Sequence, residues 1–229
     1  MGTYNKGING PFSGKTGSII GSRWRGVNYI KGFSRTYKNK GKPSEEQVLH
    51  YKKFKLLNEF FIPIKKVVEV GFGNYLRKAT ARNIAFQQNF DHAFSLDENN
   101  EPHLNYSLIQ FSKGTLFTAG AEKLEIVKPG QIKVTWNPKT YGLGGSLDDQ
   151  VHILCYTVSS GLFDSPDTTP LRYQAEATVR YEALEGECIH VWLFLSDSQK
   201  KRVSPTKYLS ITNNPQPTAN NQQPITNSQ

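Results

Sequence analysis

Gly14-Lys15-Thr16 is the first place in this chain where residue types and spacing could do chemistry. A phosphate loop presents backbone N–H groups from a turn between a strand and a helix, with a lysine reaching the phosphates. That pattern needs a glycine at position 9, which is Asn9, and Gly10 comes one residue late. No apolar strand precedes the segment and no long helix follows it, so it reads as a turn between short strands. The five histidines are His50, His92, His103, His152 and His190. None pairs at the i, i+4 spacing of a metalloprotease helix. His152 and His190 fall on expected strands and read as hydrogen-bonded structural residues that could face each other. Asp148-Asp149 and the run from Asp164 to Asp167 bring carboxylates close together, as acid–base or calcium chemistry requires. They stand in Gly/Ser-rich connections without ligand-loop spacing and read as solvated turn residues. Cys155 and Cys188 are too few for a disulfide framework or a zinc site and read as reduced, buried thiols. The expectation is a chain that is not an enzyme, with no catalytic residue, no cofactor and no metal.

The remaining chemistry is electrostatic. The chain has 229 residues and a formal net charge of +9, and residues 1–90 hold 17 of its 28 Lys and Arg but 4 of its 19 Asp and Glu. That is a local balance of +13 against −4 for the rest. The candidate interaction residues are Lys15, Arg23, Trp24, Arg25, Tyr29, Lys31 and Arg35. Cations give affinity for phosphate and aromatics stack on bases, so the segment suits nucleic acid. Arg23-Trp24-Arg25 also describes a strand with its aromatic turned inward and its cations outward. Phe12, Ile19, Ile20, Trp24, Tyr29 and Ile30 outnumber what base stacking would use. Protein docking or self-assembly is therefore the favoured use, and nucleic-acid binding the alternative.

The elements that position these residues follow from local pattern. Glycines punctuate residues 1–35 around two short strand-like pieces, Ser18–Ile20 and Val27–Ile30, which suggests a β-hairpin or small meander. Such a piece is marginal alone and needs a covering surface. After a basic linker (36–43), Ser44, Glu45, Glu46 and Gln47 make a helix start. Val48, Tyr51, Phe54, Leu57 and Phe61 recur at three- and four-residue spacing, and Pro63 ends the helix. A short helix through Ile64, Val67 and Val68 stops near Gly71. A third is expected from about Tyr75 to Phe90, carrying Arg77, Lys78 and Arg82. Residues 91–106 read as loop. Strands are expected at Leu108–Phe111, Leu124–Val127, Ile132–Trp136, Val151–Val158, Tyr173–Val179, Ile189–Leu195 and Lys207–Ile211. The polar tail from about Asn213 should be disordered. The fold class is α+β: a Gly-rich N-terminal β-hairpin and short helices, then an antiparallel immunoglobulin-like β-sandwich. The division is 1–106, 107–212 and 213–229, with the sandwich, from about Gly120 to Ile211, expected to fold alone. No apolar run reaches the roughly 18–20 residues that span a bilayer. The N-terminus has no signal-peptide core, so synthesis in the cytoplasm is expected, with any export by another route or within an assembly.

Trp136 followed by Asn137-Pro138 is similar to the second-strand tryptophan of fibronectin type III domains. The run from Lys6 to Ser22, with Trp24, Gly26 and Tyr29-Ile30, resembles the start of an uncharacterised Bacteroidota family, domain of unknown function 6266. The Ser44–Phe54 helix, Gly71-Phe72, Val134–Pro138, Asp148-Asp149 and Val191–Leu195 extend the resemblance over nearly the whole chain before the tail. Arg23 and Arg25 depart from it, since similar proteins carry fewer charges around Trp24. The resemblance implies no catalytic residue and no activity. Together with the basic front it leads to an expected structural or assembly role, in a virion, tail-like particle or surface structure.

Overall fold

A computed structural model describes residues 2–3, 12–24, 26–32, 41–75 and 79–213. The chain forms two compact units, Met1–Ser44 and Glu45–Gln229. The first holds strands β1 (Gly2–Thr3), β2 (Gly14–Thr16), β3 (Ile19–Trp24) and β4 (Val27–Gly32). They make one antiparallel sheet in the order β1-β4-β3-β2. Gly21 is required at its centre: a Cβ there would lie 2.3 Å from the Phe12 carbonyl oxygen and 2.7 Å from its ring.

The second unit begins with α1 (Glu45–Phe61), whose first turn carries Glu45 and Glu46 against the positive end of the helix dipole. Its expected apolar stripe divides in two. Leu57, Phe60 and Phe61 are buried, whereas Val48, Tyr51 and Phe54 are exposed. Pro63 follows, and then α2 (Lys65–Gly71). Gly71 admits no side chain, because a Cβ would lie 1.9 Å from the Phe111 carbonyl oxygen. The third helix is shorter than expected: α3 runs Ala81–Asn89, with the Thr80 hydroxyl accepting from the Asn83 N–H at 3.2 Å. Leu76, Arg77 and Lys78, and the tail from 214 onward, lie outside the described residues. Residues 91–106 are not all loop. β5 (Phe94–Leu96) and β6 (Pro102–Leu104) pair as a hairpin. The Asp97 carboxylate closes its turn by accepting the Asn99 and Glu101 N–H groups.

The sandwich is built from β7 (Lys123–Lys128), β8 (Gln131–Thr135), β9 (Gln150–Tyr156), β10 (Phe163–Asp164), β11 (Glu176–Arg180), β12 (Cys188–Ser196) and β13 (Lys207–Thr212). One sheet has the order β11-β8-β7 and the other β10-β9-β12-β13, all antiparallel. The expected strand at Leu108–Phe111 is absent. A 3-10 turn, Tyr106–Leu108, stands at its start. Another, Arg172–Gln174, takes the front of the expected Tyr173 strand.

Alternation along β12 explains how two cores share one strand. Ile189, Val191, Leu193 and Leu195 point between the sheets, against Ile132, Val134, Trp136 and Val179. Trp192 and Phe194 point the other way, with Leu154 of β9, into a core shared with Leu57, Phe60, Phe61, Val68 and Phe72 of the helical region. A strand buried on both faces reads as a continuous apolar run, and Val-Trp-Leu-Phe-Leu is one. The boundary expected at 106/107 therefore does not separate two cores. The helices are the outer layer of the sandwich, and the chain divides at 44/45 instead. Asn89, fully buried, ties the layers: its amide donates to the Ala85 and Gln110 carbonyls and accepts from the Gln110 N–H.

Candidate interaction face

Strand pairing decides which of the candidate residues share a surface, since directly opposed residues in an antiparallel pair project to the same side. Trp24 opposes Val27, Ser22 opposes Tyr29, and Ile20 opposes both Lys31 and Lys15. One face of the first unit therefore carries Lys15, Trp24, Tyr29 and Lys31 with Ile20 and Val27. Trp24 and Tyr29 sit on the diagonal of neighbouring pairs, at a separation aromatic side chains can bridge. Arg23 opposes Asn28 and belongs to the other face, with Ile19 and Ile30. Arg25 and Arg35 lie outside the described residues. Trp24 is not turned inward: it is 48% exposed and Val27 47%. Lys15 is part of strand β2, and the Gly17-Ser18 turn leads into β3, so no helix follows the Gly-Lys-Thr segment. The phosphate-loop geometry is absent there.

The division into units sharpens the charge pattern. Residues 1–44 contain nine of the 28 basic residues and none of the 19 acidic ones. They alone carry a charge equal to the net +9, and the second unit is balanced.

Other chemistry-bearing residues have structural work. The His152 ring nitrogen Nε2 lies 2.9 Å from Ser196 Oγ, and its ring stacks on Phe194 at 4.8 Å. Burial, with some help from Lys200, lowers its pKa to about 4. His190 Nδ1 lies 2.8 Å from Tyr208 Oη, and burial lowers its pKa too. The two histidines have separate partners four positions apart along the β9–β12 ladder and do not face each other. Both cysteines are free. Cys155 is fully buried, and burial raises its thiol to about 12, far from nucleophilic range. Cys188 is only half-buried. Among the described residues no group of three His, Cys, Asp or Glu side chains could hold a metal ion.

Asp149 is not a solvated turn residue. Its Oδ2 lies 3.1 Å from Arg172 Nη2 and 3.2 Å from Arg172 Nε, and both side chains are almost wholly buried. Arg172 Nη2 also donates to the Phe117 carbonyl, its backbone carbonyl accepts the Trp136 indole N–H, and Nη1 has no partner among the described residues. No spacing rule announces this pair, because the partners are 23 residues apart in different loops.

A second feature escaped the sequence altogether. An open cavity of about 480 Å³ lies between the end of α1, β6 and the β9–β10 connection, lined by Glu59, Phe60, Tyr106, Tyr156 and Phe163 among others. These residues come from four separate parts of the chain, so periodicity within any one of them carries no signal.

A model described as a family of unknown function, DUF6266, matches residues 11–210. No curated protein matches the chain. Solved structures do, among them the fn3 domain of human collagen alpha-1(XX) chain, 15% identical, with a TM-score of 0.31. That match covers 45% of this chain and 88% of the collagen domain. No helix among the described residues is long and apolar enough to cross a membrane.

Proposed function

We propose that this chain, which belongs to the DUF6266 family of unknown function, is a non-enzymatic structural or assembly protein that docks through the basic, glycine-rich sheet of its first unit. One observation carries the reading. The described part of that unit is a single sheet, yet it displays Trp24 and Val27 at about half exposure on the 44 residues that hold a charge equal to the entire net charge. Apolar side chains on a one-layer sheet need a second layer, and a surface without acidic residues favours an acidic partner. The partner we have in view is an acidic protein surface within a multi-copy particle, such as a virion, tail-like particle or surface structure. The sandwich unit, with its charges balanced, would be the part displayed.

The shared face of Lys15, Trp24, Tyr29 and Lys31 favours one second reading, single-stranded nucleic acid held by stacking and lysine contacts. Size-exclusion chromatography at two salt concentrations, with and without DNA, separates the two. Assembly without DNA that Trp24→Ala weakens supports docking to protein. A chain that stays monomeric at high concentration overturns it if the chain also binds DNA with a salt slope that drops by about one when Lys31→Ala is introduced.

A further inference from the structure

Resting on the docking reading above, we propose that the basic sheet face of one copy is covered by the acidic end of the sandwich of a second copy, with Trp24 seated in the cleft there. That end is where three turns meet: 127–130, 157–162 and 181–187. Hydrogen bonds hold them together. The Tyr181 N–H donates to the Gly130 carbonyl at 3.0 Å, and the Thr157 hydroxyl to the Glu182 carbonyl at 2.6 Å. The Glu187 carboxylate accepts from the Ser159 N–H at 2.7 Å and from the Leu184 N–H at 2.9 Å. An open cleft of about 570 Å³ lies between the turns, lined by Pro129, Ser159, Glu182 and Leu184 among others.

This end and the sheet face match in two respects. Val127, Val158, Leu162 and Leu184 are each more than half exposed, so the end displays apolar side chains to solvent, as Trp24 and Val27 do on the sheet. The charges are opposite. The turns carry Glu182, Glu185 and Glu187 against Lys128 alone, and Glu182 and Glu185 are exposed. Asp164 adds to the cluster: burial, and then the neighbouring Glu182 carboxylate, raise its pKa. The sheet face has Lys15 and Lys31 exposed on it, in a unit without one acidic residue. Two sheet faces set on each other would bring like charges together, so the occupant is the acidic end and not a second face. A cleft of this size accepts one large side chain, and an exposed tryptophan seated in such a cleft is a strong anchor. Face and end are different surfaces, so the contact is heterologous. Each copy offers one of each, and copies join into a ring or an open chain.

The test is sedimentation velocity on the full-length chain and two double variants, with no DNA present. Trp24→Ala with Lys31→Glu spoils the face, and Glu182→Lys with Glu185→Lys spoils the end. All four positions are exposed, so the thermal melts should match that of the wild type. The wild-type coefficient should rise with concentration above that of a monomer, and fall back when salt is raised from about 0.1 M to about 0.5 M. Each variant alone should associate about tenfold or more weakly. An equimolar mixture of the two should recover a dimer and stop there, because one variant keeps an intact end and the other an intact face. A general loss of folding cannot produce that recovery. An end variant that assembles as the wild type does, or a mixture that does not recover, overturns this pairing and leaves the docking reading standing. A wild-type chain that is monomeric at every concentration also overturns the pairing, and the docking reading falls with it only when the chain binds DNA with a Lys31-dependent salt slope.

Discussion

The buried Asp149–Arg172 pair is where single substitutions should tell most. Both side chains are removed from water, and the guanidinium anchors the Phe117 carbonyl as well as Asp149. Removing one partner leaves the other charged and uncompensated, so Asp149→Ala should cost about 3–5 kcal/mol in urea denaturation. Replacing both by apolar residues of similar volume should restore much of that loss, which separates charge burial from packing. Trp136→Ala should also cost about 3–5 kcal/mol, since the indole fills the sandwich core and donates to the Arg172 carbonyl. His152 sets a pH dependence. Its folded pKa of about 4 lies below its ordinary value of 6.5, so the unfolded chain binds the extra proton between those limits. His152 therefore contributes nothing pH-dependent above about 6.5, and destabilises progressively as pH falls toward 4, by at most about 3 kcal/mol. The melting temperature of His152→Gln should fall less steeply than that of the wild type across this window. An identical slope would assign the dependence elsewhere, His190 being the next buried histidine.

At the scale of elements, the outer face of the β9–β12 sheet decides what can fold. Leu154, Trp192 and Phe194 are buried by α1, α2 and the 109–111 segment rather than by the facing sheet. A fragment from Gly120 to Ile211 keeps β7 to β12 and all but the last residue of β13, but exposes that face. It should bind hydrophobic dyes and lose its cooperative thermal transition, whereas residues 45–213 should melt cooperatively. A cooperative melt of the shorter fragment without dye binding would show that the helices add little to the sandwich. Phe60 makes the same point with one side chain, because it touches rings from three other parts of the chain: Tyr106, Tyr156 and Trp192. Phe60→Ala should cost about 3–5 kcal/mol while leaving the core between the sheets in place.

For the whole molecule, the two units differ in what they can contribute. The second contains both clusters of buried apolar residues, and the first a charge equal to the net charge. Deleting residues 1–44 should leave the melting temperature within a degree or two, since no described residue of the first unit belongs to either core. The same deletion should abolish retention on a cation-exchange resin at neutral pH and end any salt-sensitive association. A large drop in melting temperature would mean that the first unit stabilises the second, and would move its role from docking to folding.

Local pattern alone determined a good deal of this protein. The start of α1 at Glu45, the end of α2 at Gly71, the strands β7, β8, β9, β12 and β13, the burial of Trp136 and the concentration of positive charge at the front were all legible. Each depends on interactions within a few residues or on composition, which the order of residues specifies directly. Trp24 and Tyr29 were legible as candidates, and strand pairing then put them on one face with Lys15 and Lys31 and put Arg23 on the other. Only the tertiary structure decided that the outer half of the α1 stripe stays exposed, that Asp149 is buried against Arg172, and that the helices roof the sandwich instead of forming a unit with the N-terminal sheet. It also gathered Glu59, Phe60, Tyr106, Tyr156 and Phe163 around one cavity. Periodicity shows that a face is apolar but not what covers it. Which distant segments meet is settled by how the layers bury one another, and no window of a few residues contains that.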